Sequence, residues 1–433
     1  MKIRNTHKKQ EKKYTDDFKS VINNVIFNSL GFFFLEFIIP IYATQELNAS
    51  GFDVGLIFSV QTIGLLISTF FTGFIVDRIK SRTKLILLGS FGRGIAYFIL
   101  YFAIVFKSLP YIGVATFSLG IFVGFFWIPF DTIIAEKSNK NHRSHAYGKR
   151  DSAVGIGLFI GGLFGFGILG IGIYFFPNNL FFTYCSILIY GISNFYAGIL
   201  FHYKVDEKIK FPTEKNNISV KNKKDLNKNR NITNKSILIG ILFFCLVILM
   251  SNINGSLAKP FLNVYVIEKI VDNTIFAMFA YIPSGIIAMF LAPKLGDIID
   301  RISPKLGLLI ISIIGASVTW AIINIDNIIL FSALLTIDTA IVNIGNILMQ
   351  NIYSRISIGH RGKMMGAYRF FRSFGFILGP LFGGLAVDFL GLKAPFMISI
   401  LVELCLIPFY LSSIHFIKPK LAEGYEDTEI LNL

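Results

Sequence analysis

Long apolar runs separated by short polar segments dominate this chain, and the pattern predicts an all-α membrane protein. Each run is about 20 residues or longer, the length that a helix needs to cross a ~30 Å hydrocarbon core. The first six cover approximately residues 19–44, 54–77, 84–107, 111–135, 152–176 and 180–203. The second six cover approximately residues 236–266, 274–299, 305–324, 328–353, 364–388 and 393–417. Because lipid offers no water to unpaired backbone groups, we predict twelve transmembrane helices.

Composition places the bulk of the chain in lipid. Hydrophobic residues make up 54% and charged residues 15% of the sequence, against about 25% charged residues in soluble domains. The first apolar run is too long for a signal peptide and contains Glu36, so we expect it to remain as an anchor. Cys185, Cys245 and Cys405 lie inside apolar runs. Since a thiol packs there without a partner, we predict neither a disulfide nor a metal site.

The net charge of +15 is concentrated in alternate loops. Basic residues crowd the N-terminus, the loop between the second and third spans and the loop between the fourth and fifth: Lys2, Arg4, Lys8, Lys9, Lys12, Lys13, Arg78, Lys80, Arg82, Lys84, Lys137, Lys140, Arg143, Lys149 and Arg150. By the positive-inside rule, both termini should be cytoplasmic in a cell-membrane protein. Nucleic-acid binding is excluded, because no basic patch stands outside this topology pattern.

The apolar runs divide the chain into two bundles with polar flanks. The predicted parts are a cytoplasmic tail, a first bundle, a cytoplasmic linker, a second bundle and a second tail, at residues 1–18, 19–203, 204–235, 236–417 and 418–433. The linker is rich in Lys and Asn, which indicates a flexible segment; docking to lipid or protein is the alternative. No phosphate-binding loop of an ATPase occurs, so we predict no enzymatic activity.

An internal repeat relates the two bundles. Gly73-Phe-Ile-Val-Asp77-Arg78 recurs 223 residues later as Gly296-Asp-Ile-Ile-Asp300-Arg301. Asn28 and Gly31 recur as Asn252 and Gly255, and Arg143, Gly148, Gly157, Gly161 and Gly165 recur 218 residues later as Arg361, Gly366, Gly375, Gly379 and Gly383. A six-residue match alone could be chance, but the wider correspondence predicts two six-helix bundles related by an axis along the membrane normal.

The chain resembles transporters of the major facilitator superfamily over all twelve spans, and the repeated loop motif is the most specific part of this resemblance. The family pattern Gly-x-x-x-Asp-Arg-x-Gly-Arg-Arg/Lys is matched by Gly73, Asp77, Arg78 and Arg82, and in the second half by Gly296, Asp300, Arg301 and Lys305. Lys80 and Ser81 depart from it. The resemblance implies that these residues fasten the two bundles together at the cytoplasmic side in one state. The alternative is a motif that only anchors a tight turn.

A second family-like stretch lies in the eleventh span. Gly375-Phe-Ile-Leu-Gly379-Pro380-Leu-Phe-Gly-Gly reproduces a pattern that exporters of this family carry in the fifth span, where this chain has Gly157 and Gly161 but no proline. Small residues at this spacing let helices pack closely and bend. The stretch favours efflux, with simple helix packing as the alternative.

Ionisable residues inside apolar spans are costly and therefore mark candidate sites. Four stand out: Glu36, Arg93, Lys259 and Asp338. Lys259 follows Glu36 by 223 residues, the displacement of the loop motif. In the family the first and seventh helices line the central cavity, so we hypothesise that Glu36 and Lys259 face each other there, with Glu36 as a proton or cationic-substrate site. A structural ion pair, or Lys259 reaching the headgroups, is the alternative.

The remaining candidates are weaker. Arg93 is either a site residue or a partner of Asp131. Asp338, Asn343 and Asn346, with Gln350, supply polar groups on the tenth span, and the three amides share one helical face. Asn252 is a candidate cavity wall in the seventh span. Trp127 is a candidate cavity aromatic, with packing as the alternative.

Together these features predict a secondary transporter. The fourth span lacks the arginine that many proton antiporters of the family carry. We nevertheless favour efflux of small organic or amphipathic compounds by proton exchange, by a monomer in the bilayer with no cofactor beyond a proton gradient. The rivals are an importer or uniporter of a sugar, organic acid or other metabolite, and a receptor or scramblase of the same fold.

Overall fold

The computed structural model describes residues 13–76, 78–79, 81–139, 142–176, 179–211, 234–285, 304–355 and 361–417. These residues are almost entirely helical, and the β-structure among them is one isolated bridge between Tyr14 and Ser138. The all-α prediction is therefore confirmed. The predicted linker falls mostly on residues outside the described ranges.

Helices are numbered here in chain order. Those of the first half are α1 (Phe18–Ser29), α2 (Phe32–Gln45), α3 (Gly51–Val76), α4 (Arg82–Val105), α5 (Leu109–Glu136), α6 (Arg143–Phe175), α7 (Leu180–Thr183) and α8 (Ser186–Lys204). Those of the second half are α9 (Asn234–Leu257), α10 (Lys259–Lys269), α11 (Thr274–Phe279), α12 (Pro304–Ile322), α13 (Ile328–Arg355), α14 (Arg361–Leu390) and α15 (Ala394–Ile417).

Every predicted span contains helix, and several spans are interrupted within the described ranges, among them the first, the sixth (between α7 and α8) and the seventh. Nine helices within the described ranges are long and apolar enough to cross a membrane, and two shorter apolar helices cover Thr274–Gly285 and Leu306–Ile322. The first span breaks between α1 and α2, and the seventh breaks at Ala258. Pro260 accounts for the second break, because proline lacks the N–H that a helix interior needs but fits its first turn.

The helices pack as two bundles joined chiefly by α3 and α14. In the first half, α5 packs against α3 and α4, α4 packs against α8, and α6 packs against α1 and α2. In the second half, α9 packs against α14 and α15, and α12 packs against α13 and α15. The pairing of α6 with the first span thus has its counterpart in the pairing of α14 with the seventh, as the repeat predicts.

The repeated glycines lie at these two equivalent contacts. A Cβ built on Gly161 would lie 1.7 Å from the Leu30 carbonyl oxygen, and one on Gly379 would lie 2.0 Å from Ser256 Oγ. Gly157 and Gly375 make similar approaches to the same two helices. Helix backbones can meet this closely only where side-chain bulk is missing. Pro380 lies between these contacts and α3, because its carbonyl oxygen faces Gly55.

Among the described residues, contacts between the halves are found on one side of the bundle. We call the side on which α1 begins the terminal side, and the opposite side the far side. Near the far end, the Asp388 carboxylate accepts hydrogen bonds from the backbone N–H groups of Gly51 at 2.6 Å and Phe52 at 2.8 Å. Deeper in the bundle, Ser59 Oγ donates to the Ile377 carbonyl oxygen at 2.6 Å. The far side is therefore closed in this structure.

Candidate functional site

A cavity of about 490 Å³ lies in the second half and reaches the boundary with the first. Its size is that of typical small-molecule sites. Apolar residues of α2, α10, α12 and α13 form much of its wall, among them Phe37, Leu262, Ala316 and Ile341. Its polar and ionisable lining includes Glu36, Ser251, Asn252, Asn254, Lys259, Asn263, Tyr281, Ser312, Asp338, Asn343, Asn346, Glu403 and Tyr410.

Glu36 of α2 and Lys259 of α10 form an ion pair across the two halves. About half of each side chain is accessible, at 48% for Glu36 and 58% for Lys259. Asn263 Nδ2 donates to the Glu36 carbonyl oxygen at 3.1 Å, and Tyr281 donates to Asn263 Oδ1 at 2.7 Å. Lys259 is thus directed at Glu36 rather than at lipid headgroups. This arrangement ties the first span to the seventh beside the cavity.

The second cavity, of about 450 Å³, lies on the other side of this ion pair. It is bounded by α2, α3 and α5 of the first half and by Phe376 and Pro380 of α14. Trp127 lies on its wall, and the guanidinium of Arg150 lies 5.8 Å from the Trp127 ring centre. Because Glu36 and Lys259 line both cavities, their ion pair separates the two spaces.

Arg93 lies in neither cavity. It is fully buried, with its guanidinium 4.5 Å from the Phe32 ring centre, and it donates to the side-chain and carbonyl oxygens of Asn28. These bonds satisfy acceptors next to the break between α1 and α2, where helix carbonyls lack intrahelical partners. Arg93 therefore braces the broken first span, at the position where α4 passes it.

The proposed pairing of Arg93 with Asp131 is wrong, since Asp131 pairs with Arg150 of α6. Helix depth explains the error. Arg93 lies eleven residues after the start of α4, whereas Asp131 lies five residues before the end of α5. At about 1.5 Å per residue, the two side chains leave their helices at depths that differ by about 9 Å.

The remaining predicted polar residues line the first cavity. Asp338, Asn343 and Asn346 of α13 and Asn252 of α9 all line it. Asn252 Nδ2 donates to the Ile248 carbonyl oxygen of its own helix at 2.7 Å, which leaves its Oδ1 side available to the cavity. The side chain of Gln350 lies outside the described set.

Sequence reasoning missed Glu403, the tenth residue of α15. Its Oε1 accepts from Ser312 Oγ at 2.6 Å, and its Oε2 accepts from Asn254 Nδ2 at 2.7 Å. Three helices therefore meet at this carboxylate on the cavity wall. The signal was present, because a carboxylate inside an apolar span is a candidate by the same rule that selected Glu36.

The loop motif is described only in part. Arg82 pairs with Glu136 of its own half at 2.5 Å, and Arg78 is exposed. Gly73 is also exposed, and no described atom lies within 4 Å of a Cβ built on it. Asp77, Gly296, Asp300 and Arg301 lie outside the described residues, as does the side chain of Lys305. The fastening role of the motif stays a prediction.

A carboxylate caps the start of α4 beside this motif. Glu207 accepts from the backbone N–H of Arg82 at 2.7 Å and from Ser81 Oγ at 3.0 Å, with further bonds from Thr83. Burial raises the pKa of the Glu207 carboxyl, but these hydrogen bonds outweigh it and leave its pKa below the usual value. Glu207 therefore remains ionised and satisfies N–H groups that have no intrahelical partner.

Comparison with known proteins gives a family and a fold. The family model described as Major Facilitator Superfamily matches residues 22–357 and 274–427. Among the curated proteins compared, none matches the chain. A bacterial homolog to the human lysosomal transporter Spinster, solved inward-facing and unoccupied, has 14% sequence identity and a TM-score of 0.69, covering 94% of this chain and 97% of that one. The nucleoside transporter NupG, as a mutant, has 12% identity and a TM-score of 0.69, covering 92% and 100%.

Proposed function

The chain belongs to the major facilitator superfamily, and we propose that it carries a small organic molecule across the membrane by alternating its two bundles about the main cavity. The observation that supports this function most directly is the Glu36–Lys259 ion pair, which joins the two halves at the cavity wall. A charge pair that links the bundles beside the substrate space can be weakened by a bound substrate. Substrate occupancy and the closure of the far side would then be coupled.

The charges of the cavity favour a cationic or neutral substrate. Among the described residues that line it, three carboxylates face one amine, namely Glu36, Asp338 and Glu403 against Lys259. An anion would meet net negative charge in a space of low dielectric constant, where repulsion is strong. The aliphatic and aromatic wall adds an apolar contact surface, so we propose amphipathic organic compounds, moved outward in exchange for protons.

Import or facilitated diffusion of a polar metabolite is the second candidate. The amides of Asn252, Asn254, Asn343 and Asn346 line the same cavity and can donate and accept hydrogen bonds. Such a lining suits a substrate rich in hydroxyl or ring-nitrogen groups. The two candidates differ in direction and in response to a proton gradient, so one experiment separates them.

That experiment is transport in proteoliposomes, with a panel of lipophilic amines and a panel of nucleosides and sugars, with and without an imposed pH gradient. We expect amine movement against its gradient that follows the pH gradient. Glu36→Gln, which keeps shape but removes the charge that holds Lys259, should lower the transport rate at least about tenfold, the effect of about 1.4 kcal/mol. Glu46→Gln is the matched control, because Glu46 forms an exposed ion pair with Lys107 away from both cavities.

Each part of this proposal can fail separately. Transport that ignores the gradient would remove proton exchange, and movement of nucleosides or sugars alone would establish the second candidate. Unchanged transport by Glu36→Gln would show that the ion pair is only structural. For orientation, we propose cytoplasmic termini in a cell membrane. Labelling of a cysteine introduced at Tyr111 by an impermeant reagent added outside cells should succeed if the far side is external.

A further inference from the structure

The structure points to a second function for the cavity wall: we propose that Glu403 of α15, together with Asn254 and Ser312, is the site at which the protein takes up and releases its coupling proton. This inference rests on the proposed transport function and assigns the proton to a residue other than Glu36. Three observations support it: Glu403 has no cationic partner among the described residues, it accepts two hydrogen bonds from neutral groups, and the buried Oδ1 of Asn254 has no donor there.

Charge compensation separates the two carboxylates. Glu36 has Lys259 as its partner, so the negative charge of Glu36 is compensated by an adjacent cation. Glu403 receives hydrogen bonds from a neutral hydroxyl and a neutral amide, and no lysine or arginine within the described residues pairs with it. Burying an ionised carboxylate without a cation costs free energy, and binding a proton removes that cost. Glu403 is therefore better suited than Glu36 to change its protonation.

The hydrogen bonds around Glu403 can serve both protonation states. When it is ionised, Ser312 Oγ and Asn254 Nδ2 each donate to one carboxylate oxygen. Asn254 Oδ1, in the same amide, is buried and has no partner within the described residues. A turn of the amide by half a rotation exchanges its N and O positions, so that Oδ1 can accept the O–H of a protonated Glu403. The leftover acceptor thus has a use in the protonated state.

The proton step is a simple transfer. A hydronium ion in the cavity transfers a proton to one Glu403 oxygen: an O–H bond of the hydronium breaks, the O–H bond of a neutral carboxylic acid forms, and a water molecule is left. Its O–H then donates to Asn254 Oδ1. Release after the bundles have alternated returns the proton to water on the other side. Because α9, α12 and α15 all belong to the second half, the site can move as one body with that bundle.

The other titratable groups near Glu403 have interaction partners that differ from those of Glu403. α15 packs against α9, α12 and α14, and the described side chains of α12 carry no titratable group. On the remaining elements, the titratable or charged described groups are Cys245, Arg372, Asp388, Cys405 and Tyr410. Across the cavity they are Glu36, Lys259, Tyr281 and Asp338, of which Glu36 and Lys259 pair with each other and Tyr281 donates to Asn263. Tyr410 hydroxyl donates to Ser251 Oγ at 2.8 Å, Arg372 lies 5.7 Å from the Phe376 ring centre, and Asp388 holds the start of α3. Asp338 is the one other carboxylate that faces the cavity from the second half of the described chain.

The test is infrared difference spectroscopy of the purified full-length protein in lipid, without substrate, titrated downward from about pH 9 to about pH 5, starting well above the pKa near 4 of an ordinary carboxyl. The wild type should gain a carboxylic-acid C=O band. Glu403→Gln should lose that band, while Asp338→Asn and Glu36→Gln should keep it. Ser312→Ala, which removes one donor to the ionised form, should move the band to higher pH.

Each outcome decides. A band of full amplitude in Glu403→Gln, the absence of a band in the wild type, or loss of the band in Asp338→Asn alone overturns the assignment. If Glu403→Gln does not fold, the pH shift in Ser312→Ala carries the test, and an unmoved midpoint refutes the proposal. The wild type could fail to transport any compound in liposomes while Glu403→Gln still loses the band. That result would support the proton site and refute the proposed transport function.

Discussion

Replacing Asp388 by asparagine should open the far side of the transporter. Asp388 belongs to α14 of the second half, yet its two oxygens accept the N–H groups of Gly51 and Phe52 at the start of α3 in the first half. The first N–H groups of a helix have no intrahelical acceptor, and the helix dipole attracts a negative charge to this end. Asparagine keeps the shape but removes the charge, and its NH₂ group cannot accept from the second N–H.

The size of the effect follows from the two hydrogen bonds and their exposure. Bonds to charged groups contribute about 1.5–3 kcal/mol each where they are buried. Asp388 is exposed, so solvent competes and we take about 1–2 kcal/mol for the pair together. A change of this size alters the ratio of closed to open far sides about 5- to 30-fold. The ratio of open to closed far sides should rise by that factor.

Pulsed electron paramagnetic resonance between spin labels at Tyr111→Cys and Lys269→Cys measures this population, with the three native cysteines replaced. Tyr111 lies in the first turn of α5 and Lys269 ends α10, so the labels lie on different halves at the far side. Asp388→Asn should increase the long-distance component. Asp53→Asn is the matched control, because Asp53 lies in the first turn of the same helix and its carboxylate, among the described residues, accepts hydrogen bonds from Ser50 of its own half. Equal distance distributions for Asp388→Asn and the wild type would refute the reasoning.

Two further predictions concern stability. Gly161→Ala should destabilise the protein by about 1–3 kcal/mol through overpacking, because the added Cβ would meet the Leu30 carbonyl oxygen. The unfolding temperature in detergent should fall accordingly. In Gly167→Ala, in the same helix, no described atom lies within 4 Å of the added Cβ, so the unfolding temperature should not fall; equal losses in the two variants would contradict the packing explanation. Glu207→Gln should destabilise the protein at neutral pH, because an ionised carboxylate caps α4. The folded pKa of Glu207 is lowered, so its contribution to the free energy of unfolding is present above about pH 4.3 and disappears as pH falls through the folded pKa. The melting temperatures of wild type and variant should therefore converge in acid. A difference that does not depend on pH would show that the charge of Glu207 is not the cause.

Much of the fold could be predicted because it depends on local properties. The length of an apolar run decides whether a helix can span lipid, and the predicted boundaries of α3, α4 and α5 lie within a few residues of the observed ones. α6 begins at Arg143, nine residues before the predicted start, since a helix can continue through polar residues beyond the lipid. The breaks in the first and seventh spans were not predicted.

The candidate site was predictable only where the repeat supplied three-dimensional information. Equal displacement placed Glu36 and Lys259 at equivalent depths on facing helices, and the structure brings them into contact. No such relation existed for Arg93, whose partner Asn28 lies on a different span and whose supposed partner Asp131 lies at another depth. Glu403 has no charged equivalent in the first half, because the residue 218 positions earlier is Cys185.

Composition, spacing and internal correspondence along the chain were enough to predict the membrane class, the helical spans, the twofold repeat and one cross-bundle ion pair. Only the tertiary structure decided that Arg93 braces a broken helix, that Asp388 closes the far side and that Glu403 meets Asn254 and Ser312. Such contacts depend on the rotation and depth of each helix against its neighbours. Those quantities are set by packing among many side chains and are not encoded in the spacing along any one span.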